Sequence, residues 1–238
     1  MARIGVFGGM GPLATVDFME KLVRLTPATR DQDHIPVLVA SLPHTHDRSR
    51  AILGHGPDPL PQLLAGVDLL NHAGVGVIAI PCNSSHHWFA QLRERSNAPL
   101  LHIAEVSVAV VPRSQATRVA IFATRGALLS GFYQRSLEMQ GIDYLTPDPV
   151  RGQEDVDLCI REVKAGRFDV AGSSLERACA AAVAAGATAL IMGCTEIPIA
   201  SRHADTAGLI LIDSSLELAR ASVAYALERG WNRPGWDS

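Results

Sequence analysis

Three segments in the first half of the chain recur, in the same order, in the second half. The segment RIGVFGGMG at residues 3–11 corresponds to RVAIFATRG at 118–126, and GVGVIAIPCNSS at 74–85 corresponds to GATALIMGCTEI at 186–197. APLLHIAEVSVA at 98–109 corresponds to AGLILIDSSLELA at 207–219. Matching segments at nearly constant spacing indicate an internal duplication, which predicts two similar lobes.

Within each half, short runs rich in Val, Ile and Leu alternate with helical patterns. We predict strands at 3–7, 36–41, 75–81, 100–104, 118–123, 187–193 and 209–213. We predict helices at 12–25, 60–73, 132–140, 156–165, 173–185 and 215–230. Continuous apolar strands separated by helices are typical of parallel sheets that are covered on both faces, so the chain is predicted to be α/β.

Composition excludes several classes of protein. The 238 residues are 47% hydrophobic and carry a net charge of −3, without a basic run for a nucleic-acid partner. No apolar stretch approaches the roughly 20 residues needed to span a bilayer. A strand that begins at Arg3 leaves no room for a signal peptide, and the four cysteines form no CxxC pair. We therefore expect a cytoplasmic protein with reduced thiols and no membrane partner.

Cys82 and Cys194 occupy the same place in the repeat, at the end of a predicted strand and before a helix. The helix N-terminus favours a thiolate there. If the two lobes face each other, both thiols point into one cleft. Two bases on opposite faces of one carbon are what inversion of configuration requires. A cysteine hydrolase needs only one thiol, and a redox disulfide leaves no room for a substrate.

Six motifs resemble the aspartate/glutamate racemase superfamily, and most closely its aspartate racemase branch. They are GGMGPLATVDF, DRSRAILGHGPDP, PCNSSH, SGFYQ, EVKAG and MGCTEIP, which span the chain from Gly8 nearly to Asp213. The resemblance implies a racemase that needs neither pyridoxal phosphate nor a metal and works as a homodimer on a small acidic amino acid. It implies two pseudo-two-fold related lobes with the active site in the cleft between them. Lobe one would comprise residues 1–98 plus 209–238, and lobe two residues 99–208.

The same resemblance assigns roles to individual residues. Cys194 would act on the L enantiomer and Cys82 on the D enantiomer. Asn83, Ser84 and Thr195 would hold the α-carboxylate, while Arg48 and Lys164 would bind the side-chain carboxylate. We also expect Met10, Ser85 and Thr124 to contact the substrate.

The chain departs from the family pattern at two places. Relatives often carry CNTAH where this chain has Cys82-Asn83-Ser84-Ser85-His86, and usually carry Thr where it has Ala127. The motif GCTE, rather than GCTH, separates the chain from the glutamate racemases of cell-wall synthesis. Aspartate is therefore the expected substrate, with glutamate or a broad range of amino acids as the alternative.

Other interpretations of the same residues remain open. A related decarboxylase or isomerase would use the cysteines for other carbanion chemistry, and a two-lobed carboxylate-binding protein would not use them at all. The GxGxxA match at Gly9–Ala14 favours a nucleotide site, but the second strand lacks the acidic residue that such a site needs. The histidines at 44, 46, 55, 86 and 87 are interpreted as surface or capping residues rather than as a zinc site.

Four further side chains complete the set of candidates: two are predicted to be structural, and two have two possible roles each. Cys159 and Cys179 lie in apolar helical patterns and are predicted to fill the core. Glu196 either orients a neighbour or caps its own helix. Thr15 either faces the ligand or presents its hydroxyl on a helix surface.

Overall fold

The computed structural model describes residues 3–233. In this range the strands are β1 (Ile4–Gly8), β2 (Val37–Ser41), β3 (Val77–Ala79), β4 (Val119–Ala123), β5 (Tyr144–Leu145), β6 (Ala189–Gly193) and β7 (Ile210–Asp213). The α-helices are α1 (Pro12–Leu25), α2 (Arg48–Ile52), α3 (Leu60–His72), α4 (Phe89–Arg95), α5 (Ile103–Val108), α6 (Arg125–Ser130), α7 (Phe132–Met139), α8 (Arg151–Lys164), α9 (Phe168–Ala184), α10 (Ile197–Ala200) and α11 (Ser214–Glu228).

The strands form two parallel sheets, which confirms the predicted α/β class. The first sheet has the order β2-β1-β3, and the second has the order β5-β4-β6-β7. In each sheet the first strand of the repeat lies between the second and the third. The two halves thus share one strand topology, as the duplicated segments predict.

The second sheet shows why its strands are apolar throughout. Phe122 of β4 and Met192 of β6 pack into one buried cluster, together with residues of α8 and α9. Their neighbours Ile121 and Ile191 pack into another cluster, together with residues of α5 and α7. Because successive side chains point to opposite faces, a sheet covered on both faces needs an apolar residue at every position.

The chain divides into two compact units. One comprises the described residues up to His46, Asp58–Ile103 and those from Ser215 onward, and the other comprises Asp47–Pro57 and Ala104–Ser214. The lobe limits given by the family resemblance stay a prediction. The short segment Asp47–Pro57 brings α2, with Arg48, into the second unit.

The predicted strand at 100–104 is wrong. Here the chain makes only an isolated bridge, in which Ile78 bonds to Pro99 and Leu101, and α5 then begins at Ile103. The Ile103 N–H donates to His86 Nε2 at 3.2 Å instead of to a strand. The Ile103 amide, which would continue the hydrogen-bond ladder with β3, is bonded to the His86 side chain. The apolar run therefore ends in a helix instead of extending the bridge.

Candidate active site

The turn after β1 is held from the inside by a threonine. Thr15 Oγ1 accepts a hydrogen bond from the Gly9 N–H at 2.8 Å and donates one to the Gly11 carbonyl at 2.9 Å. A Cβ on Gly8 would lie 2.3 Å from Thr15 Cγ2, and Gly9 has a φ of +89°, so both positions favour glycine. Thr15 thus fixes the turn and is buried, so the predicted hydroxyl on a helix surface is wrong, while its contact with a ligand stays a prediction. Met10 is buried in the same turn.

Cys82 lies where the sequence predicts, between a strand and a helix. It precedes the 3-10 helix Asn83–Trp88 and is buried. Two side chains anchor its carbonyl oxygen: Ser85 Oγ donates at 2.7 Å, and His86 Nδ1 lies at 2.9 Å. The Ser85 hydroxyl is therefore used inside the loop, where it holds the backbone that carries the thiol.

His86 is the buried support of this loop, so its interpretation as a surface residue is wrong, whereas a capping role fits, because the ring accepts a hydrogen bond from the Ile103 N–H at the start of α5. Because the Ile103 N–H donates to Nε2, the proton of the neutral ring is on Nδ1, which donates to the Cys82 carbonyl. Burial, and then the nearby His102, lower the pKa of His86 to about 3. The spacing of four residues lets the His86 ring reach the Cys82 carbonyl. The contact is therefore a hydrogen bond to the backbone and not shared coordination of a metal.

Asn83 and Ser84 follow the thiol directly. Both are buried at the start of the 3-10 helix. Their predicted role as ligands of the α-carboxylate stays a prediction. Met10 follows β1, whereas Asn83, Ser84 and Ser85 follow β3. Because β1 and β3 are parallel neighbours, these predicted substrate residues of the first unit lie at the same edge of its sheet.

Cys194 comes immediately after β6 and has a carboxylate as its partner. Its Sγ donates to Glu196 Oε2 at 3.0 Å, and both residues are buried, with 6% and 5% of their surfaces exposed. Burial and the negative charge of Glu196 raise the pKa of Cys194 well above its ordinary value, while Lys164 opposes the shift. Thr195 is buried between the two. In the resting protein Cys194 is therefore a thiol.

Lys164 and Thr124 line one pocket of about 450 Å³ in the second unit. Lys164, at the end of α8, lies with its Nζ 4.0 Å from Glu196 Oε1. Its burial lowers its pKa, but the charges of Glu196, Cys194 and Asp47 outweigh this effect and raise it. Lys164 is consequently a cation. Thr124 caps α6 by accepting a hydrogen bond from the Ala127 N–H at 3.2 Å.

Arg48 starts α2, which packs closely on α6. The Gly126 N–H donates to Ser49 Oγ at 3.0 Å. A Cβ on Gly126 would lie 2.8 Å from Ser49 Cα, so the two backbones meet only because residue 126 is glycine. This contact holds the helix of Arg48 within electrostatic range of Lys164. The structure thus brings together two cations that the sequence separates by more than a hundred residues.

The other two cysteines are core residues, as predicted. Cys159 and Cys179 are fully buried in the cluster beneath α8 and α9. Burial raises their pKa values to about 12 and about 11. They provide controls for any test of Cys82 and Cys194.

The described part of the chain contains neither a cluster of metal-binding side chains nor a membrane-spanning helix. Across residues 3–233, His, Cys, Asp and Glu side chains do not gather in groups of three or more that could hold a metal ion. None of the helices in that range is long and apolar enough to cross a bilayer.

Fold and site together define a class of protein: a duplicated parallel α/β protein with a buried thiol after the corresponding strands β3 and β6. The family model for Asp/Glu/hydantoin racemases matches residues 7–222, and the chain belongs to that family.

Three similar proteins of known name are racemases. The broad specificity amino-acid racemase RacX of Bacillus subtilis is 26% identical over 228 residues, which cover 94% of this chain and 98% of RacX. The aspartate racemase of Picrophilus torridus is 29% identical, with a TM-score of 0.84 over 95% of this chain and 94% of its own. The glutamate racemase of Francisella tularensis, solved with D-glutamate, shares the fold with a TM-score of 0.71, at 18% identity over 97% of this chain and 82% of its own.

Proposed function

We propose that the chain is a cofactor-independent racemase that interconverts L- and D-aspartate in the cytoplasm, as a homodimer. Cys82 and Cys194 act as the two bases. The observation that carries the proposal is the placement of one buried thiol after each of the strands β3 and β6, at matching points of the duplicated topology. A duplication of a core-filling cysteine would not require polar residues to follow each thiol, and here they do.

In the proposed reaction one thiolate removes the α-proton and the other thiol returns a proton to the opposite face. For the L enantiomer, the Cys194 thiol first releases its own proton to solvent. The thiolate then accepts the α-proton, the electron pair of the Cα–H bond stays on carbon, and Cys82 donates its proton to that pair. The reverse sequence converts the D enantiomer. One proton enters and one leaves, so the reaction needs no external oxidant or cofactor. Asn83, Ser84 and Thr195 hold the α-carboxylate, and Met10, Ser85 and Thr124 complete the substrate site.

The proposed preference for an acidic side chain comes from the second unit. Lys164 lines a pocket of this unit and Arg48 lies within electrostatic range of Lys164. A guanidinium binds a carboxylate through two parallel hydrogen bonds. A neutral amino acid has no side-chain carboxylate for these two cations to bind. Broad specificity is the second candidate, and RacX, which matches nearly end to end, is the observation that favours it.

The test is exchange of the α-proton in deuterated water, followed by proton NMR without added pyridoxal phosphate or metal. We expect loss of the Cα–H signal from both enantiomers of aspartate, and slower loss from neutral amino acids. Equal rates for acidic and neutral amino acids would support the broad-specificity alternative. Binding of amino acids without any exchange would contradict a racemase.

A further inference from the structure

Glu196 is the charged group nearest to the Cys194 thiol among the contacts that the structure gives, and the family assignment leaves it without a role. The Sγ–Oε2 distance of 3.0 Å is that of a hydrogen bond from the thiol. With 5% of its surface exposed, Glu196 is a buried carboxylate, and burial of a charge is costly unless it is compensated. Its compensation comes from the thiol, from Lys164 at 4.0 Å, and from the Thr195 hydroxyl at 3.5 Å.

The side chain of Glu196 is not needed by its own helix. Glu196 stands at the N-cap of α10, but its side chain makes no capping hydrogen bond. Its backbone carbonyl accepts from the Ile199 and Ala200 amides at 3.0 and 3.1 Å. Of the two roles that the sequence leaves open, the structure therefore favours orientation of a neighbour, and the neighbour is Cys194.

The charges around the pair set its behaviour. Lys164 of α8 faces both Glu196 and Cys194, and Asp47 and Arg48 of the α2 region face Lys164. The buried Tyr133 of α7 interacts electrostatically with Cys194 and Asp213, and burial raises the pKa of Tyr133. Cys159 of α8 stays protonated, because burial and the charge of Glu196 raise its pKa. Glu196 is thus the anion in direct contact with the thiol, and Lys164 is the cation that opposes it.

We propose that Glu196 is a positioning residue for Cys194: its carboxylate orients the sulfhydryl proton and makes the Cys194 thiolate a stronger base once it forms. The proposal rests on the proposed function, in which Cys194 is one of the two bases. An α-proton is only weakly acidic, so a more basic thiolate removes it more readily. When Cys194 instead protonates a carbanion, the S–H bond breaks, the new C–H bond forms with the carbanion pair, and the thiolate is left beside Glu196. The repulsion between these two anions favours return of a proton to sulfur.

The test is the pH dependence of Cys194 alkylation by iodoacetamide, measured by mass spectrometry of the peptide that contains residue 194. No substrate is present, so the result is independent of racemisation. Glu196→Gln removes the negative charge, and we expect the alkylation profile to move to lower pH by about one unit or more. Glu154→Gln, at an exposed position of α8, is the matched charge control and should leave the profile unchanged. An unchanged profile in folded Glu196→Gln would overturn the proposal.

Two further variants keep the test decisive if Glu196→Gln folds poorly. Lys164→Met removes the opposing cation, and should move the profile in the other direction, to higher pH. Glu196→Asp keeps the charge and should recover most of the wild-type profile. Equal shifts in Glu196→Asp and Glu196→Gln, or no shift in Lys164→Met, would contradict electrostatic control. Absence of α-proton exchange in the wild type would instead contradict the proposed function, whatever the alkylation profile.

Discussion

At the residue scale, the loop of Cys82 depends on a histidine that must stay neutral. His86 donates to the Cys82 carbonyl and accepts from the Ile103 amide, and both contacts are buried. A charged ring would have to donate from Nε2 as well, and would face the Ile103 N–H with a second proton. The two hydrogen bonds that support this backbone therefore require a neutral His86 ring, and acid would disrupt them by protonating it.

The need for a neutral His86 predicts that the folded protein is sensitive to acid. The pKa of His86 is about 3 in the folded protein and about 6.5 in an unfolded chain, so only the unfolded state takes up a proton between these values. The free energy of unfolding should therefore fall as pH decreases through this window, by about 1.4 kcal/mol per pH unit from this residue. Urea unfolding at a series of pH values measures the slope.

The corresponding variant is His86→Asn, which keeps a donor for the Cys82 carbonyl but cannot titrate. It should lose about 1–3 kcal/mol at neutral pH, because the Ile103 amide loses its acceptor. Its stability should then vary less between pH 6 and pH 4 than that of the wild type. His55→Asn, at an exposed position, is the control and should keep the wild-type slope. A wild-type slope in His86→Asn would show that His86 does not titrate as described.

The two cations make a second prediction at this scale. Loss of a charge-assisted hydrogen bond to the substrate's side-chain carboxylate costs about 1.5–3 kcal/mol, which is about a 10- to 150-fold loss of rate at low substrate. Arg48→Ala and Lys164→Ala should each show this loss in α-proton exchange from aspartate, and a much smaller loss with alanine as substrate. Arg113→Ala, at an exposed position, should have no effect. Unchanged exchange from aspartate in both variants would remove Arg48 and Lys164 from the substrate site.

At the scale of elements, the contact between α2 and α6 depends on Gly126. Alanine has the higher helix propensity, which would stabilise α6 by up to about 1 kcal/mol. A Cβ at this position, however, would lie 2.8 Å from Ser49 Cα, and backbone cannot move aside as a flexible side chain can. Such overpacking costs about 1–3 kcal/mol, so the clash outweighs the propensity.

Gly126→Ala should therefore lower the melting temperature and also raise KM for aspartate, because α2 carries Arg48. Leu129→Ala is the control on the same helix, since this leucine is 66% exposed, and it should leave both quantities nearly unchanged. Thermal unfolding and exchange kinetics give the two readouts. A higher melting temperature in Gly126→Ala would mean that α2 does not pack on α6 as described.

The elements also show how far the sequence predicts the fold. The bounds of α1 and the places of Cys82 and Cys194 follow from patterns of adjacent residues: Pro12 after a glycine turn, and polar residues after an apolar run. β5 was not predicted, because two residues at the edge of a sheet show no periodicity. The failed strand at 100–104 has a different cause, since its fate is decided by His86, which lies 17 positions from Ile103. Glu196 illustrates the same limit for the site, because sequence cannot choose between two partners within reach of one side chain.

At the scale of the whole molecule, the duplication explains both the fold and the proposed chemistry. Each half repeats one strand topology and carries one buried thiol after the strand beside the central one. The halves then differ in what surrounds the thiol. Cys82 has a neutral histidine and a serine on its backbone carbonyl, whereas Cys194 has a carboxylate on its sulfur. A duplicated unit thus carries two thiols in unlike surroundings.

The measurement that tests this account most directly is α-proton exchange by the two single cysteine variants, in the NMR assay described above. Cys82→Ala and Cys194→Ala should both fail to racemise aspartate, because each retains only one of the two bases. Cys82→Ala should still exchange the α-proton of L-aspartate, and Cys194→Ala only that of D-aspartate. Cys159→Ala and Cys179→Ala should racemise like the wild type. Full racemisation by either Cys82→Ala or Cys194→Ala would contradict the two-base mechanism.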